Sequence, residues 1–436
     1  EEPAGSDSTM DVLILVGGFT VLCLLGMPVA YALGLGAILA ALWLDIPLEA
    51  VMLKVSDGTD DFALLAIPFF ILAGGIMAEG GMAERLVNLA RIFVGFIRGG
   101  LALVNILASA LFGCISGSSV ADTASIGSVM IPQMVKSGYP RLFAVNVTCA
   151  GSLQPLLIPP SHNAVIYSLA AGGSISIADL FLGGAIPGVL LGLCLMAMVL
   201  IIARRQNFPK GEVIPLRRAV KIAIEAFWGL LTVGIIMGGI LSGVFTPTES
   251  GAIACVYAFL VTMFIYRDYR WRDLPLLVGR VVRTVGMVMI MIGFSIAFGY
   301  MMALMQVPMK AAQFFLAIAH DKYTLLLLIN ILLLFLGTFM DLAPMLLICP
   351  PIFLPIVTKF GVDPVHFGII MILNLGIGLL TPPVGPTLAV GCAIGKVTME
   401  AVSKSILPFY IPLLIVLLLV TYVPALSLWL PHLLRF

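Results

Sequence analysis

The chain has 436 residues, 61% of them hydrophobic and 10% charged, with a formal net charge of +1. Soluble domains carry about 25% charged residues, so this composition excludes a soluble fold, and the lack of any basic block excludes a nucleic-acid partner. Continuous apolar runs such as 325–336 and 411–420 indicate an all-α polytopic membrane protein; an outer-membrane barrel would show short alternating strands instead.

Residues 1–9, EEPAGSDST, are polar and lack the basic n-region of a signal peptide; they read as a linker or remnant ahead of Met10. The first half is expected over 10–203. Within it Arg85, Arg91 and Arg98 recur at helical spacing among apolar residues, which fits either an amphipathic helix at the interface or the snorkelling end of an ordinary span. The stretch FGCISGSSVADTAS at 112–125 then gathers Ser116, Ser118, Ser119, Asp122, Thr123 and Ser125 inside apolar sequence. The flanking arms, LALVNILASALF and ASIGSVMIP, are a dozen residues or fewer. A dozen helical residues reach roughly 18 Å against about 30 Å of hydrocarbon. A re-entrant hairpin near 101–132 is therefore expected, its tip facing protein or a wet cavity, because lipid tolerates no unsatisfied backbone. A broken helix near 141–170 follows, interrupted at LQPLLIPPSHN, since two successive prolines free carbonyls one turn back.

Arg204, Arg205, Lys210, Arg217, Arg218 and Lys221 make 204–224 a basic connector, and Arg267, Arg270 and Arg272 mark a second basic turn. Two apolar stretches, 226–244 and 252–266, lie between them and are joined by FTPTES. Two spans return the chain to one side, so both basic loops are assigned to the cytoplasm by the positive-inside rule. Glu249 in TPTES reads as a helix-start acid or, alternatively, a proton carrier. The second half, 225–436, carries another hairpin near 323–356, with its tip at GTFMDLAP, and another broken helix near 364–395, interrupted at GLLTPPVGPT.

Seven scattered cysteines form no CxxC pair, and histidines 162, 320, 366 and 432 show no ligand spacing, so neither a disulfide framework nor a transition-metal site is expected. The many methionines read as packing or lipid-facing residues. No GxxxxGK[ST] loop is present to drive transport with ATP. An intramembrane enzyme using Ser118 or Ser119 with His162 finds no support in a GxSxG or HExxH motif, and no catalytic residue or organic cofactor is expected.

The two halves repeat one another. Shifted by 223 positions, Pro132 meets Pro355, Lys136 meets Lys359, Gly138 meets Gly361, LLIPP at 156–160 falls on LLTPP at 379–383, and Gly172 meets Gly395. Repeated halves mark secondary transporters, parallel or inverted according to the number of spans between them. Each half thus sets a hairpin tip beside a broken helix, and such carbonyl and hydroxyl oxygens suit a hard cation, Na⁺ at this depth. A channel built on paired re-entrant loops is the competing reading. Lys136 and Lys359 read as interfacial anchors. Asp122 and Asp341, the only carboxylates in their hairpins, read as caps of the second arms or as ion or substrate ligands. The tips do not coincide under the shift: Asp122 falls on Met345, not on Asp341.

LLAIPFFILAG (64–74), SGSSVADTASIG (116–127), IPPS (158–161), TPTES (246–250) and TPPVG (381–385) together resemble the large M-type (DctM-like) membrane subunit of tripartite ATP-independent periplasmic (TRAP) transporters, over nearly all of the chain from Met10. The resemblance implies two inverted structural repeats, a scaffold domain, and a transport domain that moves as an elevator. It implies Na⁺-coupled import of an organic acid, such as a dicarboxylate or sialic acid, across the bacterial inner membrane; a stand-alone ion-coupled carboxylate carrier is the alternative. The implied partners are a small four-span Q-type membrane subunit, a P-type periplasmic substrate-binding protein, a small carboxylate and membrane lipid. Transferred by position, one Na⁺ site falls on Ser116, Ser119 and the carbonyls of Pro155, Ile158 and Pro160, the other on Gly337, Gly378, Thr381 and Val384. Ser118, Asp122, Ser161, His162, Asn163, Asp341 and Pro383 would line the substrate cavity. The run GSLQPLLIPPSHN departs from many relatives, and Gln154, His162 and Asn163 add polar capacity there.

Overall fold

Sequence this apolar can satisfy its backbone in lipid only as helix. A computed structural model describes residues 10–434 apart from Val12, Asp61, Glu212, Tyr269, Arg270 and His320, and apart from the side chains of Ala63, Ile115, Ala312, Phe314 and Leu316. The expected leading segment 1–9, Arg270 and His320 thus lie outside the described residues. Among the described residues the chain is helical throughout, with one isolated bridge between Arg98 and Lys210 and no strand.

Long apolar helices run over Ile177–Arg205, Leu216–Leu241, Pro247–Tyr266, Trp271–Leu304 and Leu342–Lys359, each able to cross a bilayer by length and composition. Three further pairs are bent at a short break: Ala66–Glu79 with Met82–Val94 by 73°, Arg141–Leu157 with His162–Ala170 by 52°, and Met399–Ser405 with Leu407–Tyr422 by 57°. The first bend turns on Gly81, whose φ of +72° suits glycine. Beyond it Met82–Val94 buries Met82, Leu86, Val87 and Ala90 on one face, the amphipathic pattern expected around Arg85 and Arg91. At the second basic turn, Arg85 pairs with Asp268 at 2.6 Å and stacks on the Tyr266 ring, 3.8 Å from its centroid.

The basic connector is shorter than 204–224. Ile177–Arg205 runs to Arg205, and Leu216–Leu241 begins directly after Pro215. Residues 217–221 are good helix formers behind a proline that favours a helix start, so their charges ride on a helix rather than a loop. At TPTES the Thr246 backbone N–H donates to Glu249 Oε2 at 2.8 Å while the Glu249 N–H donates to Thr246 Oγ1 at 3.3 Å. Glu249 is thus a capping-box acid.

Two apolar cores form. The smaller one joins Val29–Trp43, Leu48–Thr59 and Leu274–Leu304 around Ala37, Ala40, Ala41, Phe298 and Met301. The larger one surrounds the first arms of the two broken helices, Arg141–Gly151 and Pro364–Gly378, in which every residue from Phe143 and from Val365 onward is buried. Such all-round burial marks the centre of the bundle.

The polar clusters sit at the turns of helical hairpins. Gly100–Ser116 and Ser119–Lys136 are joined by Gly117 and Ser118 and fold back on one another, so that Asn105 Nδ2 reaches Met134 Sδ at 3.7 Å. Lys322–Gly337 and Leu342–Lys359 are joined through Thr338–Asp341. The arms are longer than the dozen residues expected: 17 and 18 residues in the first hairpin, or roughly 26 Å each. The helix starts inside the polar cluster: Ser128 returns its hydroxyl to the Ser125 carbonyl at 2.8 Å, Asp122 is buried beside Ser109 of the facing arm, and Thr123 is buried near Gly391 of the other half. Both second arms end at the expected lysines, Lys136 and Lys359, each exposed and followed two residues on by a left-handed glycine, Gly138 or Gly361.

The pairing of elements recurs. Each hairpin's first arm packs on the first arm of the following broken helix, and each hairpin's second arm packs on the second arm of the other half's broken helix. Thus Ser119–Lys136 lies against Pro386–Gly395, and Leu342–Lys359 lies against His162–Ala170.

Candidate ion and substrate site

The prolines at 159 and 160 have no N–H to return to Pro155 and Leu156, and those at 382 and 383 have none for Gly378 and Leu379. Both Pro–Pro bonds are cis. The chain therefore breaks at 158–161 and at 379–385, and in each half the hairpin tip is seated at the break.

In the first half the two backbones touch. A Cβ on Gly113 would lie 2.7 Å from Pro155 Cα, so only glycine permits this approach. At the turn, Gly117 has a φ of +59°, and its carbonyl accepts from Asn163 Nδ2 at 3.1 Å. Asn163 Nδ2 also reaches Ser161 Oγ at 3.2 Å, and the His162 ring abuts Gly117. Ser118 caps the second arm, its hydroxyl accepting from the Ala121 N–H at 3.3 Å. Ser119 is buried, with its hydroxyl 3.1 Å from Ser152 Oγ and 2.8 Å from Thr387 Oγ1. Ser116 Oγ is buried and has no hydrogen-bond partner. Ser116, Ser118, Ser119, Pro155, Ile158, Pro160, Ser161, His162 and Asn163 thus belong to one contiguous tip-and-break region.

In the second half the approach is again backbone to backbone: a Cβ on Gly378 would lie 2.6 Å from the Gly337 carbonyl oxygen. Here the freed Gly378 carbonyl accepts from the Thr381 N–H at 2.8 Å, and the Val384 N–H points at the Thr338 carbonyl at 3.4 Å. The Thr381 hydroxyl donates to the Ile377 carbonyl at 3.0 Å, and Tyr410 Oη lies 2.7 Å from the Leu380 carbonyl and 3.2 Å from Thr381 Oγ1 beside it. This break is open where the first is closed: Val384 is 49% exposed and Pro383 is exposed.

The two aspartates differ. Asp341 is an N-cap, Oδ1 accepting from the Leu342 N–H at 2.8 Å. It sits 223 positions on from Ser118, which caps the first hairpin's second arm, so Ser118 and Asp341 are the equivalent pair. Asp122 does not cap, because the cap falls on Ser118 and places Asp122 one turn inside the helix. It is fully buried, its carboxylate oxygens have no hydrogen-bond partner, and Ser109 of the facing arm lies beside it. Thr123 Oγ1 and Ser109 Oγ are likewise buried and unpartnered.

Three contributors to the region escaped sequence reasoning: Ser152, Thr387 and Tyr410. Only Thr387 had a local signal, as a hydroxyl just past a double proline. Gln154 is buried below the break rather than facing it, its amide donating to the Ile106 and Gly151 carbonyls at 3.1 and 3.0 Å. Around both breaks the donors are mainly hydroxyl and carbonyl oxygens, with the His162 ring beside the first tip, and those oxygens are a set that fits a hard monovalent cation.

A bundle of long and broken apolar helices with paired polar hairpins defines a multi-pass inner-membrane transport protein. The family model for the DctM component of tripartite ATP-independent periplasmic transporters matches residues 16–426. The chain is 41% identical to the C4-dicarboxylate TRAP transporter large permease protein DctM of Pseudomonas aeruginosa, covering 92% of this chain and 94% of that one. It is 40% identical to the sialic acid TRAP transporter large permease protein SiaM of Vibrio cholerae, covering 95% and 97%. The chain belongs to the DctM-type large permease subunits of TRAP transporters, and is a transport protein and not an enzyme. Its fold is similar to that of the Alcanivorax borkumensis YdaH transporter, with a TM-score of 0.64 at 15% identity, over 96% of this chain and 98% of that one.

Proposed function

We propose that this permease imports an organic acid across the inner membrane in symport with Na⁺, the acid being delivered by a periplasmic binding protein and the permease standing beside a small four-span membrane subunit. Support for Na⁺ comes from the first tip and break: a buried, oxygen-rich region where the Ser119 hydroxyl meets Ser152 and Thr387, beside carbonyls freed by the prolines. Ser116, Ser119 and the carbonyls of Pro155, Ile158 and Pro160 would hold one ion; Gly337, Gly378, Thr381 and Val384 would hold the other. Positive charge at these tips favours an anion in the space between them, bordered by Ser118, Asp122, Ser161, His162, Asn163, Asp341 and Pro383. A carboxylate substrate agrees with relatives named for C4-dicarboxylates and sialic acid.

We read the recurrent pairing as two inverted repeats, 10–203 and 225–436, whose hairpins and broken helices form a transport domain that moves past the small core of Val29–Trp43, Leu48–Thr59 and Leu274–Leu304. The test is uptake of labelled C4-dicarboxylates and sialic acid into proteoliposomes holding the permease and its small subunit, with matched binding protein outside. Uptake is expected only with an inward Na⁺ gradient and the binding protein present. Undiminished uptake in Na⁺-free buffer would overturn the coupling, and uptake without the binding protein would make this a stand-alone carrier.

A further inference from the structure

Far from the hairpin tips, a cavity of about 610 Å³ opens between the kinked helix Met82–Val94, the exit of the first hairpin and the basic connector. Arg91, Lys210, Arg218 and Lys221 line it, with Asn88 as a further donor and Glu225 as the one lining carboxylate among the described residues. The Ser119–Lys136 arm ends at its edge, so the cavity lies about 26 Å along that arm from Ser119, at the depth of a membrane surface rather than of the transport site.

We propose that this cavity binds a phosphate-bearing anion: the headgroup of an acidic phospholipid or a free phosphate. Four cations converge on one half-open cavity, and among the described residues none of the four is in an ion pair. Burial bears most on the Arg91 guanidinium, the like charge of Arg218 comes next, and Glu84 opposes them more weakly. The Arg91 guanidinium is pinned on one side by Gln133 Oε1, while its Nε is buried and has no partner. An anion would relieve both the repulsion and the orphaned donor, and an arginine fork matches phosphate geometry.

The walls are built by backbone. A Cβ on either Gly100 or Gly211 would lie 2.1 Å from the Gly95 carbonyl oxygen. The Gly99 N–H donates to the Pro209 carbonyl at 3.1 Å, and Arg98 Nη1 donates to Asn207 Oδ1 at 2.7 Å. The connector is thereby strapped to the turn that follows the kinked helix, so the backbone frame of the cavity is set before any ligand arrives. Basic pockets between helices at the cytoplasmic face are a recurrent form of acidic-lipid site.

The experiment is thermal unfolding of the purified full chain in detergent, titrated separately with cardiolipin, phosphatidylglycerol, phosphatidylcholine and inorganic phosphate. Acidic phospholipid is expected to raise the melting temperature saturably, and phosphatidylcholine is not. The exposed double variant Arg218→Gln/Lys221→Gln should raise the half-saturating concentration by roughly ten- to thirty-fold. Arg272→Gln/Arg283→Gln, which removes equal charge elsewhere, should leave it unchanged. Should the first double variant be too unstable to titrate, Arg91→Lys, which keeps the charge but loses the fork, is expected to weaken binding by a smaller factor. A shift by inorganic phosphate with the same variant dependence would assign the site to free phosphate. Equal stabilisation by phosphatidylcholine, equal loss in both double variants, or no shift with any ligand would overturn the proposal.

Discussion

The first and second hairpins meet their broken helices through the same kind of contact, a glycine against the opposing backbone, yet they close over different chemistry. In the first, Ser119, Ser152 and Thr387 join hydroxyls in a buried cluster. At positions related by the 223-residue shift the chain has Leu342, Leu375 and Ala164, all buried. The first break is closed on every side, whereas the second leaves Val384 half-exposed, with Phe339 of the facing tip 52% exposed. Duplicated geometry has therefore been kept where backbones touch and abandoned where side chains meet. A polar, enclosed tip can hold an ion with side-chain oxygens, while an apolar, open one must rely on carbonyls.

The largest effect is expected where the two regions agree. Gly113→Ala and Gly378→Ala each drive a methyl into backbone, which cannot yield as a side chain can. Overpacking of this kind costs about 1–3 kcal/mol, enough to lower uptake by roughly tenfold or more in either half. Full uptake by Gly378→Ala would show that the second tip need not close on its break.

Next comes the contrast in hydroxyls. Ser119→Ala leaves Ser152 and Thr387 short of a buried partner, at about 1–3 kcal/mol, and should weaken the Na⁺ dependence of uptake by about tenfold. Thr381→Ala removes a hydroxyl whose proton serves only its own helix, and should weaken it less. Equal shifts in the Na⁺ titrations would erase the distinction between a side-chain site and a carbonyl site.

The aspartates should separate in a stability measurement. Asn caps a helix about as well as Asp, so Asp341→Asn should leave the melting temperature nearly unchanged. Asp122→Asn neutralises a buried carboxylate without partners, a costly arrangement, and should unfold at the same or a higher temperature while transporting less. Lower stability in Asp122→Asn would mean the carboxylate is a packing element. The smallest effect is expected at Tyr410→Phe, which removes one donor to the Leu380 carbonyl. The loss is about 1 kcal/mol, read as a small drop in melting temperature with uptake within a factor of about two.

What the sequence alone determined is whatever depends on neighbours along the chain. Composition settled the membrane class, the double prolines located both breaks, and Thr246 with Glu249 marked a helix start, because a missing N–H or a cap acts within one turn. The positions of the hairpins were also legible, since a polar cluster cannot face lipid. Tertiary structure decided the rest. The arms run through the polar cluster because the facing arm lies beside Asp122 and the other half beside Thr123, which no local pattern reveals. Asp122 lost its expected cap because the cap fell on Ser118. Thr387, 268 positions from Ser119, and Tyr410 join their sites only because the other half and the helix Leu407–Tyr422 are folded against them. Gln154, polar and adjacent to a break, faces Ile106 instead. Periodicity and proline chemistry are local and survive in the sequence, whereas which side chains meet across a bundle is set by how its helices pack.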